Sequence, residues 1–463
     1  MSTGDAHGWM SAQLAERGSA DAIISRGVTT TYSDLVRLLP AAEHTLDSAG
    51  VTSSDRVVLV GDFGAMSTAV LFDLIRRGTV IIPMTASTAR RRDVLFPLCS
   101  ADWCIEVGDA TSASQITVER VRQDDSVEHP LFAELRRRQV PGLVLFTSGS
   151  TGEPKGVVHD FTLLLEKFRA PGRPLRTVNF LLFDHWGGLN TLFHTLSSGG
   201  VVACPESRSP EHICSLIEAH QLELLPASPS FLNMLLVSGA HRRHDLSTLR
   251  VITYGAEPMP ETTLARMNRE FPNIDFRQTY GLIELGVLRA KSASNDSLLV
   301  KIGGDGYDIR IVDGLLEIKA KSSMLGYLNA PSPFTEDGYF RTGDRVEQHG
   351  DYVRILGRES EQINVGGEKV FPTEVEAVLL ECPVVLDAVV YPQSHPLSGK
   401  IVCADIVAVP SDQDAASLRT VIRRFCNERL EPYKVPVRIR FVDGPLVGER
   451  QKRVRIGRDA ETS

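Results

Sequence analysis

The chain has 463 residues, 42% hydrophobic and 23% charged, with a formal net charge of −8 at pH 7. The length allows two or three domains of ordinary globular composition, and the acidic balance argues against nonspecific binding to nucleic acid or to an anionic membrane surface. Seven cysteines without a CxxC pair leave one unpaired under any disulfide scheme, and no basic patch leads into an apolar run of membrane-spanning length, so a reducing cytoplasm is expected.

Short β-branched runs alternate with amphipathic segments from Arg56 to about residue 280. Strands are expected at 57–60, 79–82, 178–183, 201–202, 222–225 and 250–253. Helices are expected at 67–77, 93–100, 189–196, 211–220, 231–237 and 261–270. Such alternation predicts an α/β domain with largely parallel strands. After about residue 285 the pattern shifts to short strands, with Asp313-Gly314 between 307–312 and 315–318 reading as a hairpin turn. From about 361 a compact unit follows. It has helices at 372–380 and 415–430 and strands near 385–391, 401–408 and 437–442, with Pro372 suited to a first helical turn. The fold class expected is α/β: a large N-terminal α/β domain with a β-rich subdomain, 1–358, and a small hinged C-terminal α+β domain, 359–463.

The apolar run Leu143-Val144-Leu145-Phe146 leads directly into Thr147-Ser148-Gly149-Ser150-Thr151-Gly152-Glu153-Pro154-Lys155-Gly156. The glycines bare backbone N–H groups and the hydroxyls add donors, a composition suited to phosphate. A Ser/Gly linker would seldom follow a buried strand so closely. A P-loop needs a hydroxyl residue after its lysine and a helix starting there; Gly156 follows Lys155, and Pro154 opposes that helix.

Residue for residue, the loop resembles the phosphate-binding signature of the adenylate-forming superfamily, which comprises acyl-CoA synthetases, adenylation domains of peptide synthetases, and luciferases. Further motifs occur in that family's order. Tyr280-Gly281-Leu282-Ile283-Glu284 is similar to its Tyr-Gly-x-Thr/Ser-Glu, implying that Tyr280 stacks on adenine, Gly281 borders the acyl pocket and Glu284 holds Mg2+. Ile283 departs from the pattern, lacking the hydroxyl that usually helps contact the α-phosphate. Tyr254-Gly255-Ala256-Glu257-Pro258 resembles the segment lining the adenine pocket, which assigns Gly255, Ala256 and Glu257 there. Phe340-Arg341-Thr342-Gly343-Asp344 matches the Thr-Gly-Asp whose aspartate accepts from both ribose hydroxyls.

Gly357-Arg358-Glu359-Ser360 and the following 363–369 resemble the hinge and the C-terminal opening loop. This implies nucleotide contact by Arg358, a pivot at Ser360, where aspartate is common, and a thiol-tunnel loop at Gly366 and Gly367. Asp184-His185-Trp186-Gly187-Gly188 lies where the family gates its acyl pocket, with His185 the candidate gate and Trp186 a pocket residue. Alternatively His185 is a packing histidine. The segment 448–455 resembles the mobile loop bearing the catalytic lysine, and Lys452 is its lysine, although Gly does not precede it. Alternatively this is a solvated basic tail.

The resemblance implies ATP with Mg2+ and a small-molecule acid as substrates. An acyl-adenylate and pyrophosphate form first, then a thioester on CoA or on the phosphopantetheine of an acyl carrier protein, while the C-terminal domain rotates between the halves. Trp186 and Phe231 lean the pocket toward a small aryl or short acyl acid. Loading of a separate carrier protein, activation of nitrite for diazotisation, and a nucleotide-binding pseudoenzyme remain open, as does oligomeric state.

Overall fold

The computed structural model describes residues 8–108, 116–121, 128–148, 153–304, 306–396, 398–444, 446–448, 453 and 455. Two seven-stranded sheets form the large part of the chain. In the first, Asp275–Gln278, Val251–Tyr254, Leu224–Ala227, Arg176–Val178, Val201–Cys204 and Asp21–Ser25 lie side by side in parallel, and Val28–Thr31 closes the edge as an antiparallel hairpin partner. In the second, Gly142–Ser148, Val80–Met84, Arg56–Val60 and Trp103–Val107 are parallel, with Ile116–Arg120 antiparallel at one side. At its other side Pro154–Asp160 and Gly326–Tyr327 add antiparallel strands.

The α/β pattern therefore begins before Arg56. Thr31 ends the first hairpin and also caps the helix Tyr32–Ala49: its hydroxyl accepts from the Asp34 N–H, while the Asp34 carboxylate accepts from the Thr31 N–H. Helices Tyr32–Ala49, Ala65–Arg77 and Trp186–Ser197 share one buried cluster with residues of both sheets, among them Ile23, Val202, Leu59, Ile81 and Leu145. The buried Tyr32 hydroxyl donates to the Gly200 carbonyl at 2.7 Å, fixing its helix against the first sheet. Six other strands form the β-rich subdomain: an antiparallel sheet in the order Ala290–Ser292, Leu299–Ile302, Tyr352–Arg358, Phe340–His349, Leu315–Ala320, Tyr307–Val312. Asp313 and Gly314, at φ 51° and 75°, make the expected hairpin turn.

The C-terminal unit is a separate sheet of Glu368–Val370, Ile363–Val365, Gly399–Ala408, Val385–His395 and Arg438–Phe441, covered by the helices Pro372–Glu381 and Ala415–Asn427 around its own apolar core. The fold is thus a large N-terminal α/β part with a β-rich subdomain and a small C-terminal α+β domain. One expected strand is shorter than anticipated. Of 178–183 only Val178 is in a strand, because the chain folds back to start the helix at Trp186, and Gly188 packs so closely that a Cβ there would sit 2.4 Å from the Leu182 carbonyl oxygen. Each of the seven cysteines is buried and unbridged. Among the described residues no helix is long and apolar enough to cross a membrane.

His159, on the strand Pro154–Asp160, links that strand to the segment around Ile283, its Nε2 donating to the Ile283 carbonyl at 2.7 Å. Burial pulls this imidazole's pKa down from 6.5 to about 4. A histidine neutral in the fold and free to protonate when unfolded adds stability at high pH. That stability is lost as pH falls from about 6.5 toward 4. By pH 4 the loss amounts to roughly 3 kcal/mol. Denaturant unfolding across this range should show His159→Gln, which keeps a donor for Ile283 but does not titrate, with a shallower decline than the parent; parallel pH profiles would refute the assignment.

Candidate active site

Two of the motifs meet because they sit at the carboxyl ends of neighbouring parallel strands, where open α/β sheets bind ligands. Val251–Tyr254 runs into Gly255 and Ala256, and Asp275–Gln278 into Thr279 and Tyr280. The Thr279 N–H donates to the Tyr254 carbonyl at 2.7 Å, and a Cβ on Gly255 would lie 2.4 Å from Thr279 Oγ1, so only glycine fits. Ala256 holds φ at 72°, the left-handed region. Glu257 turns its side chain elsewhere: Oε2 accepts from the Ser230 hydroxyl at 2.5 Å and Oε1 from the backbone N–H of Arg453 at 2.7 Å.

Tyr280 is buried, and its hydroxyl donates to Asp344 Oδ2 at 2.6 Å. Asp344 is presented by its own turn. The Thr342 hydroxyl donates to the Leu316 carbonyl and accepts from the Asp344 N–H at 3.0 Å, with Gly343 at φ 72° between them. Arg358, on the neighbouring strand, brings Nε to 3.3 Å from Asp344 Oδ1. Burial raises the Asp344 pKa from its ordinary value, and the Arg358 charge and the Tyr280 hydrogen bond only partly offset it.

The strands flanking 149–152 pair as an antiparallel hairpin, with Thr147 opposite Lys155 and Ser148 opposite Pro154. A strand rather than a helix follows the loop, so neither a P-loop nor a free linker describes it. Gly149, Ser150, Thr151 and Gly152 lie outside the described residues. Asn329 clamps the hairpin, accepting from the Gly156 N–H at 3.1 Å and donating to the Pro154 carbonyl at 2.9 Å. Leu328 packs where a Cβ on Gly156 would be 2.8 Å from its Cδ1.

Lys155 Nζ stands 5.4 Å from the centre of the Tyr327 ring, and the Tyr327 hydroxyl donates to Glu284 Oε1 at 2.8 Å. Lys155 thus lies over the ring and the carboxylate of the Tyr280–Glu284 motif at its hydroxyl, so one aromatic side chain brings the two together. Burial and the Glu284 charge push the Tyr327 pKa up, so the phenol remains a donor. A single oriented carboxylate suits Mg2+, which keeps water and takes its remaining ligands from phosphate oxygens. Gly281, in the hairpin Gly281–Leu282 with Gly286–Val287, packs with its notional Cβ 2.7 Å from the Gly286 carbonyl oxygen.

His185 caps the helix Trp186–Ser197, its Nδ1 accepting from the Gly187 N–H at 3.0 Å. Trp186 is buried, edge-on to Phe161 with ring centres 6.2 Å apart, and its Nε1 lies 3.3 Å from where a Cβ on Gly286 would be. It therefore fills the space behind the Tyr280–Glu284 motif. Phe231 is enclosed in the core against Phe180, ring centres 4.5 Å apart. Ser360 is exposed in the single turn Glu359–Glu361, and Gly366 and Gly367 are exposed in the C-terminal domain. Lys452 lies outside the described residues.

Sequence reasoning missed Tyr327, Asn329 and His159. A Gly-Tyr-Leu-Asn stretch between the Asp-Gly hairpin and Thr-Gly-Asp offered a faint signal for the first two. His159 offered none, since its partner is a backbone carbonyl more than a hundred positions away. Because the raised carboxyl of Asp344 protonates above the ordinary carboxylate value near 3.9, ATP affinity should weaken on acidification already above that pH. Nucleotide titrations on acidification toward the carboxylate range should show Asp344→Asn binding weakly and with less pH dependence than the parent. An unchanged affinity would rule Asp344 out as the ribose acceptor.

The AMP-binding enzyme family model matches residues 10–340, and the AMP-binding enzyme C-terminal domain model matches 374–449. The chain is 26% identical over 465 residues to an indoleacetate–CoA ligase from Aromatoleum aromaticum, covering 89% of each. It is also 26% identical over 482 residues to a fatty acid–acyl-carrier-protein ligase from Streptomyces coeruleorubidus, covering 91% of this chain and 89% of that one. Among solved structures, an anthranilate CoA ligase in complex with anthranoyl-AMP superposes with a TM-score of 0.77 at 18% identity, over 96% of this chain and 95% of the other. The matched model spans most of the sequence, and the chain belongs to the AMP-binding enzyme family.

Proposed function

We propose that this enzyme activates a small-molecule carboxylic acid with MgATP as an acyl-adenylate and then transfers the acyl group to a thiol, CoA first among the candidates. The observation that carries the reading is the chain of contacts from Lys155 across Tyr327 to Glu284, adjoining Tyr280, Asp344 and Arg358. These groups provide a cation for phosphate oxygens, a carboxylate for magnesium, and an acceptor for a ribose diol. Activation is needed because a carboxylate cannot expel oxide, whereas an acyl-AMP can expel AMP.

In this reading Asp344 holds the ribose and Tyr280 and the Gly255–Glu257 backbone border adenine. Thr147 and the loop through Gly152 bind phosphates with Lys155, and Lys452 offsets charge as pyrophosphate leaves. Ile283 offers its carbonyl to His159 and no hydroxyl to the α-phosphate; a lost donor to a charged group costs about 1.5 to 3 kcal/mol. The domains divide near 358, with Ser360 as the pivot and Gly366 and Gly367 brought to the thiol in the second half. Trp186 is buried beside Gly286, and a small aryl or short acyl acid is the substrate class in this reading. Phe231, closed within the core, does not contribute to that assignment.

Loading of an acyl carrier protein is a second reading, favoured by the full-length similarity to a carrier-protein ligase. Pyrophosphate release over a panel of acids, followed by thioester formation with CoA against phosphopantetheinylated carrier, separates the two. Release stimulated by small aryl or short acyl acids and CoA thioester as the preferred product is expected. Lys452→Ala should lower the adenylation rate by about 100-fold or more, the scale of one lost charge-stabilising donor. No stimulation by any acid, nitrite included, would end the adenylation reading, and an unimpaired Lys452→Ala would end only the lysine assignment.

A further inference from the structure

The two domains meet through a network of polar and charged side chains. Ser230 and Asn233 lie one turn apart on the helix Pro229–Ser238, so both face the same way. Ser230 engages Glu257, while Asn233 Nδ2 crosses to the C-terminal domain and donates to Asp387 Oδ1 at 3.0 Å. Asp387 Oδ1 also accepts from Arg453 Nη2 at 3.0 Å, and the other Arg453 Nη donates to the Ala388 carbonyl. Arg455 Nη2 donates to Glu376 Oε2 at 2.8 Å and Nη1 to Glu361 Oε2 at 3.2 Å. The circuit closes back on the large domain, where the Arg453 N–H donates to Glu257 Oε1 at 2.7 Å.

Its central members are out of water, while Glu361 at its margin is 38% exposed. Asn233 is 1% exposed, Glu376 2%, Asp387 8%, and the Arg453 side chain 5%. Buried charges in such a circuit gain little net stability, because desolvation consumes most of the attraction, but they enforce one geometry: a displaced partner leaves a charge stranded. Asn233 Oδ1 has no partner among the described residues, which further weakens the closed state. The combination of high geometric specificity and low net strength suits a contact that must form and break in each turnover. It draws the C-terminal tail onto Glu257, in the segment next to Thr279 and Tyr280, and in the same arrangement Gly366 and Gly367 remain exposed.

We propose that Asn233 and Asp387 are positioning residues for the first half-reaction: with Arg453 and Glu257 they bolt the C-terminal domain in the arrangement that serves adenylation, and the bolt opens for thiol transfer. This rests on the two-step reading above. Neither Asn233 nor Asp387 touches the groups assigned to ATP. Their loss should therefore leave the chemistry of the second half intact.

The test uses the full-length enzyme as Asn233→Ala and Asp387→Asn, two variants so that a folding defect in one does not decide the matter. Acid-dependent ATP–pyrophosphate exchange reports the first half, thioester formation from chemically prepared acyl-adenylate and CoA the second, and small-angle scattering the domain arrangement. Exchange should fall about tenfold in both variants, transfer should stay within twofold of the parent, and the scattering should indicate a more extended molecule. Equal loss in both halves, or unchanged exchange, overturns the proposal. If the parent shows no acid-dependent exchange while the variants still expand in solution, the bolt stands as a domain contact and the adenylation reading falls.

Discussion

The hydrogen bond from His159 to the Ile283 carbonyl is the constraint on which the active-site arrangement depends. His159 belongs to the strand leaving the phosphate loop, and Ile283 to the motif that carries Tyr280 and Glu284. Their contact, with Gly326–Tyr327 added to the same strand, holds the Tyr280–Glu284 motif against the second sheet. Lys155, Tyr327 and Glu284 come into line as a consequence. A neutral imidazole can make this bond deep in the protein without a buried charge, and its depressed pKa reflects that requirement.

Electrostatics in the site follow a consistent design. Asp344 is buried at the cost of a raised pKa, yet it stays oriented by Tyr280, by Arg358 and by the Thr342 turn. Glu284 is oriented by one phenol. Both carboxylates are thus positioned before any ligand arrives, which reduces the ordering that binding would otherwise require. The same economy is visible between the domains, where charge pairing sets geometry more than strength.

Much of this was legible in the sequence wherever the signal was local. Alternating apolar periods located most helices and strands, Asp313-Gly314 announced its hairpin, and contiguous motifs named Lys155, Tyr280, Glu284 and Asp344. What escaped were pairings between distant positions. The role of His185 as a helix cap depends on where the helix starts, and the engagement of Glu257 with Ser230 and Arg453 depends on how the domains dock. The hairpin at 21–31 was hidden because its first strand pairs with residues near 202, far along the chain. Trp186 and Phe231 looked alike as bulky candidates for a pocket wall; only packing separates the one behind Gly286 from the one against Phe180.

In the proposed first step an acid oxygen attacks the α-phosphorus of ATP at this site. Supplying an accepted acid with both carboxylate oxygens labelled as 18O, and analysing the products after complete turnover by mass spectrometry, tests it directly. One labelled oxygen in AMP, with unlabelled pyrophosphate, is the predicted result. Label in orthophosphate accompanied by ADP, or AMP without label, would contradict it.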